Sequence, residues 1–87
     1  MSTVIRRLVT GTGHGNLIRR VSSPVANSAS SIVASIHEVD SSGSPFVGSA
    51  RMTVHNIAPR PTGYDIWVEV SWDQDLNWEI DVLISND

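Results

Sequence analysis

Residues 64–72, YDIWVEVSW, and 76–85, LNWEIDVLIS, decide the fold. In the first, Tyr64, Ile66, Val68, Val70 and Trp72 alternate with Asp65, Trp67, Glu69 and Ser71. In the second, Leu76, Trp78, Ile80, Val82 and Ile84 alternate with Asn77, Glu79, Asp81, Leu83 and Ser85. Strict period two over this length is the signature of β-strands with one apolar face. The intervening Asp73-Gln74-Asp75 reads as a tight loop, so the pair is expected to form an acidic C-terminal hairpin over 63–85. Keeping both apolar faces together sets Val70 opposite Trp78, Val68 opposite Ile80 and Ile66 opposite Val82, because a one-residue slip turns every side chain over.

The same reading extends toward the N-terminus. Strands 31–40 and 46–57 flank Ser41-Ser42-Gly43-Ser44-Pro45, a turn-forming cluster, and predict a middle hairpin over 31–57. There Ile36, Ala34 and Ile32 are expected opposite Ala50, Met52 and Val54. A helix over 28–39 also fits the spacing of Ala29, Ile32, Ile36 and Val39, but its serine-rich, β-branched composition disfavours one. Ala58-Pro59-Arg60-Pro61-Thr62-Gly63 reads as a loop joining the two hairpins, since proline is excluded from central strands. Residues 1–24 read as a third, arginine-rich hairpin, in which Ile5-Arg6-Arg7 recurs as Ile18-Arg19-Arg20 around Gly11-Thr12-Gly13-His14-Gly15. The expected fold is all-β: an antiparallel meander closed by the N-terminal hairpin into a small β-sandwich or half-barrel, forming one domain over 1–87. The alternative is that the arginine ribbon pairs with another subunit.

Eighty-seven residues, 40% of them hydrophobic and five aromatic, support only a thin core, and no cysteine is present to staple it. Self-association is therefore expected. The start carries no long apolar run and nothing approaches a membrane span, so a cytoplasmic protein without membrane contact is the default.

Charge is sorted along the chain. Residues 1–60 hold all six arginines and only Glu38 and Asp40, whereas residues 61–87 hold seven acids and no base. On the outer face of the expected C-terminal hairpin, Glu69 would lie opposite Glu79, with Asp65, Asp81 and Trp67 beside them. Like charges directly opposite are destabilising, so a compensating partner is required. Arg51 and His55 on the adjacent strand could answer Glu69 and Asp65, while Glu79 and Asp81 would look to Arg6, Arg7, Arg19 or Arg20.

Other chemistries fit less well. Asp73-Gln74-Asp75-Leu76-Asn77-Trp78-Glu79 begins like a calcium loop, but Trp78 stands where the sharp-turn glycine belongs and Ile84 where the bidentate glutamate belongs. His37 and His55, about 20 Å apart at ~3.3 Å per strand residue, are too distant to share an ion. Gly11-Thr12-Gly13-His14-Gly15 precedes a strand rather than the helix a phosphate cradle needs. There is no Gly-x-Ser-x-Gly and no cysteine nucleophile. Nucleic acid is a poor fit to the negative total charge. No cofactor, metal or catalytic residue is expected. The pattern points to a non-enzymatic protein-binding or assembly module, self-associating or engaging another protein. It would use Trp67, Asp65, Glu69, Glu79 and Asp81 with Arg6, Arg7, Arg19 and Arg20. The alternative is a small-ligand protein or enzyme with a cavity lined by Tyr64, Trp72 and Trp78.

Overall fold

In the computed structural model, which describes residues 4–86, the chain folds as two antiparallel β-sheets packed face to face. The strands are β1 (Val4–Gly13), β2 (Gly15–Ser22), β3 (Ser31–Val39), β4 (Pro45–Phe46), β5 (Arg51–Arg60), β6 (Gly63–Ser71) and β7 (Leu76–Ser85). One sheet, A, runs β1-β7-β3-β4 and the other, B, runs β2-β6-β5. The all-β antiparallel class read from the alternation is the observed one, and 28–39 contains a strand rather than a helix.

The pairings within that class differ from expectation. β6 and β7 do not form a hairpin: they are the central strands of different sheets. Their apolar faces meet across the sandwich. Tyr64, Ile66, Val68 and Val70 from β6 and Trp78, Ile80, Val82 and Ile84 from β7 form the core and are fully buried, or nearly so. Full burial of such side chains contributes roughly 1.5–3 kcal/mol each, and as central strands of facing sheets β6 and β7 cover one another's apolar faces. The link at 72–75 also lacks the glycine or Asn-Gly that a tight hairpin turn demands. It forms a corner between sheets instead, and Trp72, expected on the inner face, is left exposed there.

The arginine-rich segment is likewise not a hairpin. β1 pairs with β7 (Leu8 opposite Asp81, Gly11 opposite Trp78) and β2 pairs with β6 (Leu17 opposite Val68, Ile18 opposite Trp67). The chain crosses from sheet A to sheet B at His14, where Gly15 takes φ of 76°, a left-handed conformation that favours glycine. Gly11 is required for a different reason. The Trp78 ring lies against its backbone, and a Cβ there would overlap the ring.

The middle hairpin shrinks to a two-residue contact, Glu38 opposite Phe46 and Val39 opposite Pro45. β3 otherwise pairs with β7, and it packs against β5 across the sandwich rather than beside it. Ile32, Ala34, Ile36, Met52 and Val54 still face the core as expected. The segment 58–63 is not a loop: Ala58, Pro59 and Arg60 belong to β5, which turns over Pro61-Thr62 into β6. Proline is accommodated because β5 is an edge strand. The connection from β2 to β3 closes one end of the sandwich, with Ala26 in the core. Asn86 there donates to the Val25 carbonyl at 2.6 Å and contacts the Ser30 hydroxyl.

Candidate functional site

The outer face of sheet B is built from alternate residues of β2, β6 and β5. Across the strands, Glu69 lies between Asn16 and Thr53, Trp67 between Ile18 and Asn56, and Asp65 between Arg20 and Ala58. A β-bulge between Val54 and Asn56 interrupts the pairing of β5 and leaves His55 as the extra residue. Bulges re-aim a side chain, and here the His55 ring lies over Trp67 with centroids 4.5 Å apart and planes tilted by 33°. His55 Nε2 is 2.8 Å from Glu69 Oε1. On the far side of the indole, Trp67 Nε1 donates to Asn16 Oδ1 at 3.0 Å. Trp67 is thus held between a histidine and an asparagine with 41% of its surface still exposed, next to an Ile18 that is 72% exposed.

Asp65 borders this platform. Arg60 Nε approaches it at 3.4 Å, while the same guanidinium donates to Thr62 Oγ1 at 2.7 Å and to the Val21 carbonyl at 2.9 Å. Arg20 lies at 4.0 Å from Asp65 and is mostly exposed.

Glu79 and Asp81 are elsewhere, on the outer face of sheet A. The expected juxtaposition of Glu69 with Glu79 therefore does not exist, because β6 and β7 belong to different sheets. Each of these acids has its own partner from a neighbouring strand. Arg6 grips Asp81 with two bonds, Nε to Oδ1 at 2.8 Å and Nη2 to Oδ2 at 2.6 Å. That contact holds the Asp81 carboxyl below the usual carboxylate range and raises the Arg6 guanidinium. His37 Nε2 lies 3.0 Å from Glu79 Oε1. Around the Arg6–Asp81 pair, Val33 and Leu83 line a shallow groove, with Leu8 also exposed on this face.

The four arginines expected to act as one ribbon are dispersed. Arg6 and Arg20 point from the outer faces of opposite sheets. Arg7 and Arg19 occupy positions of inward parity on edge strands, and the Arg19 guanidinium covers the Trp78 ring at 5.3 Å from its centroid. Of the nine expected binding residues, the structure brings together Trp67, Asp65, Glu69 and Arg20. It adds Asn16 and Ile18, which the sequence reading left out; His55, expected to answer Asp65, meets Glu69 instead, and Arg51, expected to answer Glu69, lies opposite Ser71. One signal was available for His55: apolar residues fall at 52 and 54 and then at 57, a broken period of two that marks a bulge.

The third histidine, His14, sits at the sheet-crossing corner with Nδ1 2.6 Å from Asp75 Oδ1. All three histidines therefore contact a carboxylate. Among the described residues, no group of three or more His, Cys, Asp or Glu is arranged to hold a metal ion. No helix among the described residues is long and apolar enough to cross a membrane. The aromatic cavity expected from Tyr64, Trp72 and Trp78 has no counterpart: the first and last are packed in the core and Trp72 is outside it. Compared with known proteins, the chain matches no family, no curated protein and no solved structure at a significant level.

Proposed function

We propose that this chain is a non-enzymatic protein-binding or assembly module whose contact surface is the Trp67 platform of sheet B. The observation that carries this reading is the half-exposed indole. Its ring is fixed by Asn16 and His55 and continued by the bare Ile18 side chain. A tryptophan immobilised before binding loses little rotamer freedom on contact, and buried aromatic anchors with polar surrounds dominate protein interfaces. The rim is two-signed, with Glu69 and Asp65 on β6 and Arg20 on β2, which suits a partner surface presenting both charges. An aqueous, cysteine-reducing setting such as the cytoplasm is compatible with the absence of cysteine.

The small-ligand reading gains no support from the core, where Tyr64 and Trp78 fill the space a ligand would need. The test compares affinity capture by the wild-type chain with Trp67→Ala and Ile18→Asp, both checked for native unfolding curves. Partner species retained by the wild type are expected to fall at least tenfold with either variant. Identical capture by all three would remove the platform from the function.

A further inference from the structure

We propose that the free edge of β2 is a homodimer seam, at which two copies join sheet B into one continuous antiparallel sheet centred on Ile18. This rests on the reading above, since it names a second copy of the chain as the partner that covers part of the Trp67 platform.

β2 is an edge strand of eight residues with nothing hydrogen-bonded to its outer side among the described residues. The edges of the molecule are not equally available. β5, the opposite edge of sheet B, carries a bulge and Pro59, two features that blunt an edge against pairing. β2 carries neither. Which of its backbone groups are free follows from the end of the ladder. Ser23 N donates to the Thr62 carbonyl, continuing the β2–β6 register, so Ser23 and Thr62 form a hydrogen-bonded pair. Hydrogen-bonded and non-hydrogen-bonded pairs alternate in an antiparallel ladder. The N–H and C=O groups of Val21, Arg19 and Leu17 therefore point to β6, and those of Arg20, Ile18 and Asn16 point out from the edge.

A twofold axis at Ile18 uses those outward groups. Ile18 then exchanges both backbone bonds with the partner's Ile18, Asn16 with the partner's Arg20, and Arg20 with the partner's Asn16. On the outer face the apolar row becomes continuous from Trp67 through Ile18 and the partner's Ile18 to the partner's Trp67. The neighbouring row is charge-complementary. It runs from Asp65 to Arg20, then to the partner's Asn16 and the partner's Glu69, placing the mostly exposed Arg20 between two carboxylates. Neighbouring registers are worse. Centring on Arg19 or on Arg20 sets like charges directly opposite. Centring on Leu17 sets Ile18 against the partner's Asn16 and breaks the apolar row.

Sedimentation equilibrium of the full chain reads the seam directly. The wild type is expected to form a concentration-dependent dimer. Ile18→Pro removes an outward N–H without touching the β2–β6 ladder, and Ile18→Lys puts a charge on the axis; each should weaken dimerisation at least tenfold while circular dichroism stays native. Arg20→Glu should weaken it, and Arg20→Glu with Glu69→Arg should recover part of the loss. Because the chain has no cysteine, Ile18→Cys should give a covalent dimer on mild oxidation. The expected Cα separation in a hydrogen-bonded pair, about 5.5 Å, is within disulfide reach. Leu8→Cys on β1 should not. A wild type that stays monomeric at millimolar concentration overturns the seam. So does a dimer indifferent to Ile18→Pro and Ile18→Lys, or one cross-linked by Leu8→Cys in place of Ile18→Cys. A monomeric chain whose Trp67→Ala variant still loses a captured protein would end the seam and leave the platform standing. A dimer lost with Ile18→Pro but unaffected by Trp67→Ala would do the reverse.

Discussion

Trp78 shows how much a single side chain organises here. It is fully buried, its ring rests on the Gly11 backbone, its face is covered by Arg19, and its indole N–H finds no hydrogen-bond partner. Adding one methyl at Gly11 forces that ring to move. Gly11→Ala is expected to destabilise the fold by about 1–3 kcal/mol, as overpacking does, measured by urea unfolding with Trp fluorescence. Ile80→Ala, which opens a cavity in the same core, is expected to cost about 2–5 kcal/mol, a large share of the roughly 5–15 kcal/mol available to a small domain. Two carboxylates contribute to the acid limb of stability. Arg6 lowers Asp81, and the Ser42 hydroxyl with the backbone of Ser44 lowers Asp40. A depressed carboxylate stabilises the fold above its unfolded-state pKa and loses that contribution as pH falls through the lower folded value. Arg6→Ala should therefore move the acid-unfolding midpoint to higher pH, read by circular dichroism between pH 2 and 5.

At the level of the strand, the faces were legible and most partners were not, the neighbourhood of β5 and β6 being the exception. Alternation named the buried set of β6 and β7 nearly completely, because burial is a property of each strand alone. Pairing depends on what lies between strands. Asp73-Gln74-Asp75 has no turn chemistry and became a corner, whereas Pro61-Thr62-Gly63 has it and became the one extended hairpin. The platform was half legible for the same reason. Trp67 broke the rule that apolar residues face inward, as did Ile18 in β2, but His55 reached it only through the bulge. That bulge restores inward parity between Val54 and Ile57. Deleting His55 should close the bulge and leave Asn56 facing out and Ile57 facing in, opposite Trp67 and Ile66 as before. The expected change is within about 1 kcal/mol, read from the urea midpoint, and is similarly small for His55→Ala.

Across the whole molecule, the charge asymmetry of the sequence is resolved by topology. Arg6 and His37 reach β7, and His55, Arg20 and Arg60 reach β6, so the basic N-terminal part is laid strand by strand against the acidic C-terminal part. These pairs range from part-buried to exposed, and the contribution of the exposed ones should fade with ionic strength. The midpoint of thermal unfolding is expected to fall modestly between low salt and 0.5 M sodium chloride. The ladder that joins Val4 to Ser85 has a further consequence. Among the described residues β1 pairs with β7 alone, and β2 pairs with β6, so both must wait for strands far along the chain. Neither sheet can be completed until β6 and β7 have been made, and contacts this distant in sequence form slowly. Until β7 is available the backbone edge of β1 has no strand to pair with, and the same holds for β2 until β6 is made.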